Sequence, residues 1–531
     1  MIQFLTRNTR HFYKFVLLLL PVAISAFTHL WNLDGFPSIY RDEDHYLRKT
    51  LHVLRGLGPQ ENPDELVSYP SHPYTHPYFG QLFLATVLGA VGYPESIQPS
   101  VDASSIKELF VVPRIIIGIL AVLDTFLLFK ITERRYDSTT AFIASVLFAV
   151  MPMTWIIRRV WLEPIQLPFL LASILIALYI KNYETKGRTV PILVTMSGIL
   201  FGLAIFTKIP VITLAPLVVY IIYSDSKSRK LIGLWILPVL LIPLSWPLHA
   251  ISMGEYNEWI DGVLWQSERE NMGLTAAIGK LFAIDPVLIL LSFVATAYAV
   301  LRRNLFIILW LVPFLLFNLL SGFVSYWHLI PLLPAFCIGS AILIKDSSKL
   351  FRNNKISKVL PYAIVSGIGT YGLIVMIMLL TLNLTSFHNQ VISYISAQVQ
   401  DTNATSTTHK SERVNTKHGI AVYGTNYWLW IPKYVFDRSG INEFRNYYNA
   451  KDNITNNLLL VVSENFVRDM TRENDTVYNK ERLRQFLNSS DLLIVIEENQ
   501  SATLQRDKYP FNSLIDLDPR ASSRVEIRAN Y

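Results

Sequence analysis

Residues 77–93, PYFGQLFLATVLGAVGY, decide how the whole chain threads. The stretch is apolar enough to pass for a membrane span. It is short, however, and holds Gly80, Gly89 and Gly92, whereas a bilayer core asks for about 20 apolar residues. Its surroundings settle the reading. Apolar runs of spanning length recur near 15–32, 109–130, 138–157, 162–181, 190–206, 208–223, 230–249, 280–301, 304–321, 324–344 and 358–382. Between them lie five basic loops: Lys130/Arg134/Arg135, Lys181/Lys186/Arg188, Lys227/Arg229/Lys230, Arg302/Arg303, and Lys345/Lys349/Arg352/Lys355/Lys358. All five share a side with the basic N-terminus (Arg7, Arg10, Lys14) only if 77–93 does not cross. The positive-inside rule then makes that side cytoplasmic. The segment is therefore expected to be an interfacial helix within one long external loop, residues 33–108. About 11 spans remain, the first an uncleaved signal-anchor, and an odd number places the C-terminal part outside.

Composition agrees with a membrane body. Of 531 residues, 51% are hydrophobic and 16% charged, against roughly 25% charged in soluble domains. A soluble globular enzyme, a disordered chain and a disulfide scaffold are excluded, the last because Cys337 is the single cysteine. Residues 385–531 differ: they carry 17 acidic and 17 basic side chains, so the net charge of +7 belongs to the first 384 residues. That surplus reads as a topology signal, and nucleic acid is not an expected partner. The expected architecture is an α-helical polytopic membrane domain, residues 1–384, followed by an external soluble α/β domain, residues 385–531. In the latter, 419–424, 458–463 and 492–497 read as strands, 427–436 and 480–487 as helices, and 399–417 as a linker. N-x-S/T acceptor sites start at Asn383, Asn403, Asn453, Asn474, Asn488 and Asn499, with none earlier. That one-sided distribution fits exposure to a glycosylating compartment and hints at an archaeal cell surface.

The charges that break the topology rule are the informative ones. Asp42, Glu43 and Asp44 follow the first span; such a cluster reads either as a solvated loop or as a site. Arg114, Arg158, Arg159, Lys208 and Arg269 lie toward the external side, where cations should be scarce. Singly, each reads as a snorkelling side chain or the partner of a carboxylate such as Glu163. Together, beside the acids, they read better as ligands of an anion at the outer membrane boundary, and a lipid-linked phosphate fits. His72 and His76, with nearby carboxylates, are candidate ligands of a divalent cation. Their spacing runs through Pro73 rather than along a helix, so ordinary hydrogen bonding is the favoured reading and no metal or other cofactor is assigned. Trp155, Trp161, Trp259, Trp265 and Tyr326-Trp327 read first as interfacial anchors; sugar stacking is open for one or two of them.

Asp42-Glu43-Asp44-His45-Tyr46, then Thr75-His76-Pro77, then Pro113-Arg114 with Gly118, in that order and topology, resemble the protein O-mannosyltransferases and the lipid A aminoarabinose transferases. Both belong to the glycosyltransferase C superfamily, which uses polyprenyl-phosphate sugars. Leu162-Glu163-Pro164 after Arg158/Arg159 is similar to the family's second external loop. Phe206-Thr207-Lys208 and Tyr326-Trp327-His328-Leu329-Ile330-Pro331 with Pro334 are similar to further family positions. The resemblance covers roughly residues 10–345. It departs at His76-Pro77-Tyr78-Phe79-Gly80-Gln81, where the mannosyltransferases have His-Pro-Pro and Gly-Lys. Tyr427-Trp428-Leu429-Trp430 is not the Trp-Trp-Asp type of the oligosaccharyltransferases, which disfavours transfer of whole oligosaccharides.

The resemblance implies an inverting hexose transfer, with mannose favoured, from a polyprenyl or dolichyl phosphate to an acceptor hydroxyl on the external face. The acceptor class stays open among protein, lipid and glycan, and membrane lipids are partners throughout. Asp42 is the expected general base, and Glu43 orients the loop or contacts the sugar. Arg114, Arg158, Lys208, His76 and Arg269 would hold the donor phosphate or sugar, and Glu163 would position an acceptor or a cation. The alternative is a multi-span transporter of an anionic or lipid-linked substrate. That reading calls for charged or broken helices near the midplane in repeated halves, whereas the charges noted above sit at span ends.

Overall fold

The computed structural model describes residues 2–39, 41–59, 74–182, 187–269, 273–321, 323–349, 354–398, 421–424, 426–437, 441–443, 458–463, 487–497 and 524–530. The helices, in chain order, are α1 (Ile2–Leu30), α2 (Arg41–Leu54), α3 (Phe79–Ala90), α4 (Ala103–Arg135), α5 (Ser138–Val150), α6 (Leu162–Tyr179), α7 (Thr189–Thr207), α8 (Ala215–Ser226), α9 (Arg229–Met253), α10 (Tyr256–Glu268), α11 (Leu274–Ile284), α12 (Pro286–Leu301), α13 (Leu305–Leu320), α14 (Leu333–Ser348), α15 (Asn354–Leu380), α16 (Ser386–Gln398) and α17 (Asn426–Tyr434). Short 3-10 turns precede α6 (Pro152–Arg158), α8 (Ile209–Leu214) and α14 (Tyr326–Leu332).

The chain is a multi-pass membrane protein. Among the described residues, seven helices are long and apolar enough to cross a bilayer, and Ser138–Val150 with Pro152–Arg158 makes an eighth, bent by 67° where Pro152 interrupts it. The other three expected spans coincide with shorter apolar helices, Lys14–Leu30, Pro286–Leu301 and Leu305–Leu320. The expected span 280–301 is interrupted at Asp285. Its carboxylate N-caps α12 by accepting from Leu288 N at 2.9 Å, and it also accepts from Met153 N at 3.2 Å. Helix α3 has 12 residues, about 18 Å at 1.5 Å per residue, well short of a bilayer core of about 30 Å.

Two compact units do not follow a cut at residue 384. The first comprises Met1–Leu33, His72–Phe83 and Arg114–Leu380; the second comprises Asp34–Ser71, Leu84–Pro113 and Thr381–Tyr531.

In the first unit, small residues let helices approach where lipid supplies no hydrophobic drive. Gly198 and Gly202 form a small-x-x-x-small pair on α7. A Cβ there would sit 2.6 Å from Trp235 O and 2.8 Å from Pro238 O of α9. Gly118 of α4 plays the same part against His29 O of α1, 2.7 Å from its would-be Cβ. Buried hydroxyls tie further pairs. Thr28 Oγ1 donates to Ala149 O at 2.8 Å, Thr125 Oγ1 to Ser25 Oγ at 2.8 Å, and Ser173 and Ser197 exchange bonds across α6 and α7.

The second unit is built on a five-stranded mixed sheet: β1 (Ala421–Gly424), β2 (Ile441–Glu443), β3 (Leu458–Ser463), β4 (Asp491–Glu497) and β5 (Arg524–Asn530), in the order β2-β1-β3-β5-β4. β1 pairs parallel with β2 and β3, while β5 runs antiparallel between β3 and β4. The expected strands and the 427–436 helix are present with small shifts of boundary; β2 and β5 were not expected. The expected linker 399–417 and most of the 480–487 helix lie outside the described residues. Aromatic packing joins α17 to α16 and to the start of α4: His388 stacks on Trp428 at 4.2 Å, and Phe110 meets the Trp430 ring edge-on at 5.7 Å.

Candidate active site

In the first unit, Arg159, Lys208 and Arg269 lie at the ends of α6, α7 and α10, the first two buried and Arg269 half-buried. Glu163, in the first turn of α6, forms an ion pair with Lys208, which caps the C-terminus of α7; both side chains are buried. Gln166, one turn further along α6, donates to Ala204 O at 2.7 Å and Lys208 O at 2.5 Å, fixing the backbone that carries the lysine. His328 lies within electrostatic reach of Lys208, His76 and Arg269. Its Nδ1 accepts from Ser325 N at 3.3 Å, which leaves the proton on Nε2 as a donor. Gln266 Nε2 lies 3.4 Å from His76 Nε2, and Arg269 Nη1 donates to Gln266 Oε1 at 3.2 Å. The Arg269 guanidinium sits over Trp265 at 4.8 Å and over Phe323 at 3.9 Å.

Aromatic side chains crowd the same elements. Trp161 and Trp327 lie 5.1 Å apart, and Arg159 sits 5.2 Å from the Trp155 centroid and 5.3 Å from that of Trp161. Trp327 is half-buried, so part of its ring stays open. Tyr74, just before His76, donates to Glu255 at the N-cap of α10, and burial followed by this bond raises its phenol well above the ordinary range. Gly262 of α10 leaves room for the Tyr74 backbone, whose carbonyl would lie 2.5 Å from an added Cβ. These contacts hold the loop that carries His76.

Arg114 and Arg158 are engaged differently from expectation. Both are buried. Arg114 Nη1 donates to Leu33 O at 2.9 Å; Arg158 donates to Thr28 O and Trp31 O, each at 2.6 Å, and to Asn32 O at 3.2 Å. The last carbonyls of a helix lack intrahelical partners and carry the negative end of its dipole. Two guanidiniums answer that need at the end of α1.

The acidic cluster belongs to the second unit. Asp42, Glu43 and Asp44 form the first turn of α2, where carboxylates favour the positive end of the helix dipole. Glu43 and Asp44 are buried, and Asp42 is half-buried. The helix is held from behind by α17: His52 meets the Tyr434 ring at 5.6 Å, the Arg48 guanidinium lies 6.0 Å from that ring, and Arg55 bonds Tyr434 O and Asp437. Ahead of α2, Lys107 bonds Asp34 at 3.0 Å and Leu384 N donates to Gly35 O at 2.8 Å.

His72 lies outside the described residues. Among those described, no three His, Cys, Asp or Glu side chains converge as metal ligands. Sequence reasoning overlooked Gln266, and it also overlooked Asp124. This buried acid lies well inside α4, and neither carboxylate oxygen has a hydrogen-bond partner among the described residues. The charges noted from the sequence sit at span ends; Asp124 does not. A hydropathy average hides one acid in a long apolar helix, and a search restricted to span ends passes over it.

Residues 107–247 match the family model of dolichyl-phosphate-mannose-protein mannosyltransferases. The fold is similar to that of ArnT from Cupriavidus metallidurans bound to undecaprenyl phosphate, at 13% identity and a TM-score of 0.55, covering 97% of this chain and 98% of that one. It is also similar to the archaeal oligosaccharyltransferase AglB from Archaeoglobus fulgidus in complex with an inhibitory peptide and a dolichol-phosphate. There the identity is 13%, the TM-score 0.51 and the coverage 86% and 70%. No curated protein matches the chain in sequence. The sequence match is confined to residues 107–247, and the fold is shared with ArnT and AglB.

Proposed function

We propose that the chain transfers a hexose, with mannose favoured, from a polyprenyl- or dolichyl-phosphate carrier to an acceptor hydroxyl on the external face, with inversion. The observation that carries this reading is the cluster of Lys208, His76, His328, Gln266 and Arg269 among aromatic rings, with Lys208 buried and the others half-buried. A phosphate ester leaving the anomeric carbon gains charge, and fixed donors in a partly dry site stabilise that gain. Lys208 keeps N–H donors beyond the one that meets Glu163. Arg269 stacks through its faces, so its in-plane N–H groups serve Gln266 and an anion. The half-buried Trp327 ring is a platform for the sugar.

Asp42 is the general base that takes the acceptor's proton, and the buried Glu43 beside it positions that turn. No paired general acid is needed, because a phosphate leaves as an anion. Arg114 and Arg158 act through the end of α1 rather than on the phosphate. The match to the mannosyltransferase family model supports mannose. The lipid phosphates in the two similar structures support a lipid-linked donor.

The test is to incubate the purified protein with a panel of polyprenyl-phosphate sugars and an acceptor mixture, measuring free polyprenyl phosphate. One donor should be consumed. Asp42→Asn should lower turnover about 10²–10⁴-fold, the usual worth of a general base, with expression and donor binding unchanged. Near-normal turnover by the folded variant would refute the base; consumption of none of the donors would refute the reaction.

A further inference from the structure

Away from the cluster around His328, and sharing no residue with it, the first unit has an open cavity of about 830 Å³ on the side that carries the basic loops, with Arg135, Arg302 and Arg303 exposed at its rim. Arg135 closes α4, Arg302 and Arg303 join α12 to α13, and Lys345 and Lys349 end α14; all five line the cavity. Two carboxylates line it too, and both are already engaged: Asp137 by Lys345, and Asp346 by Lys349 and by the Tyr298 hydroxyl at 3.0 Å. Among the described residues no carboxylate pairs with Arg135, Arg302 or Arg303. The floor is made of small side chains, Ala295, Ala299 and Gly339, which leave the space open.

A second observation concerns Arg303 alone. Asn304 N donates to Ala299 O at 2.8 Å and Arg303 N to Val300 O at 3.0 Å, which together form the Schellman closure of α12. Arg303 occupies its left-handed position with φ 52°, where glycine is the favoured residue because a Cβ is strained. The positive-inside rule accounts for cations in this loop. It accounts neither for a cavity nor for an arginine at the one backbone position that disfavours it.

We propose that this cavity is a binding site for a phosphate-bearing anion, held by Arg135, Arg302 and Arg303. Guanidinium groups match phosphate oxygens in paired hydrogen bonds. The Tyr136 and Tyr220 side chains and the Asn304 amide line the same wall. Basic pockets among membrane helices suit lipid headgroups, and a free phosphate offers the same chemistry.

The experiment uses the full-length protein in neutral detergent. Its thermal unfolding is followed with phosphatidylglycerol, phosphatidylcholine or inorganic phosphate added. Phosphatidylglycerol or inorganic phosphate should raise the midpoint, and phosphatidylcholine should not. A shift from the lipid alone identifies a headgroup; a shift from both identifies a soluble anion as sufficient. Arg303→Gly removes the side chain and relieves the backbone, so without ligand it should melt no lower than wild type, yet bind the effective anion about tenfold more weakly. Arg302→Gln with Arg303→Gly should abolish the shift. An unchanged shift in that double variant, an equal shift from phosphatidylcholine, or no shift from either anion overturns the site.

Discussion

Replacing Lys208 by Met, a side chain of similar reach without charge, should destabilise the folded membrane unit by about 3–5 kcal/mol. The magnitude follows from what remains. Glu163 is 2% exposed and its partner 8%, so the variant removes the lysine counter-ion from a carboxylate that water cannot reach. Its place in the first turn of α6 offsets a little, about 0.3–1 kcal/mol from the helix dipole, which favours the lower half of the range. The backbone should not be disturbed, because Gln166 still bonds Ala204 O and Lys208 O. Removing both charges, as Glu163→Gln with Lys208→Met, should recover most of the loss, since a buried pair and its neutral replacement are often close in stability.

The assay is reversible unfolding of wild type, both single variants and the double variant in the same detergent, read as a double-mutant cycle. A loss below about 1 kcal/mol for Lys208→Met is the size expected of an exposed pair, and would refute the claim that this pair is desolvated. The same proteins separate structure from chemistry. If the double variant regains stability but not sugar transfer, Lys208 has a second task at the donor. If transfer returns with stability, its part in holding the phosphate is wrong.

Two further outcomes are expected. The Asp137 carboxyl is partly buried, which raises its pKa, but its bonds to Lys345 and Thr140 outweigh this and hold it below the usual carboxylate value. Its contribution is therefore present above the unfolded pKa of about 3.9 and lost as pH falls through the lower folded value. Asp137→Asn should flatten that acid limb at a cost within about 1 kcal/mol. Asp137→Ala also loses the N-cap to Thr139 N and Thr140 N, a further loss of about 1 kcal/mol, and unfolding against pH distinguishes the two. Gly202→Leu should cost about 1–3 kcal/mol or more, because Pro238 O is backbone and cannot swing aside. Gly233→Ala, on α9 with nothing within 4 Å, should instead gain up to about 1 kcal/mol in helix propensity; equal melting of the two variants would refute the close-approach argument.

Most spans were legible because a long apolar run has few other uses, and α3 was legible because its length and glycines argue against crossing. The break at Asp285 had a signal in Asp285-Pro286, an N-cap followed by proline at the first helical position, but hydropathy averaging over 280–301 concealed it. β5 had a signal as well: Val525, Ile527 and Ala529 alternate with polar residues, and all three are buried. β2 has three residues, too few for any periodicity. No sequence pattern reports that α2 packs on α17, since that contact joins residues nearly four hundred positions apart. Nor does one tell a guanidinium that binds an anion from one that closes a helix end.

That last distinction sorts the charges that break the positive-inside rule. Arg114 and Arg158 reach carbonyls at and just beyond the end of α1, so part of their donor capacity serves the fold. Lys208 is shared between Glu163 and whatever lies beyond it. Arg159 and Arg269 rest on aromatic faces, a contact that occupies the π surface and not the guanidinium plane. Asp124 belongs to a different problem, about 16 Å along α4 from Arg135. A lipid-linked sugar keeps its phosphate at the membrane boundary, beyond the reach of a midspan acid, whereas a transport pathway would need such acids in series. Asp124 alone does not make a pathway, whereas the cations at the helix ends beside His76 and His328 offer the kind of donors that the proposed lipid-phosphate site calls for.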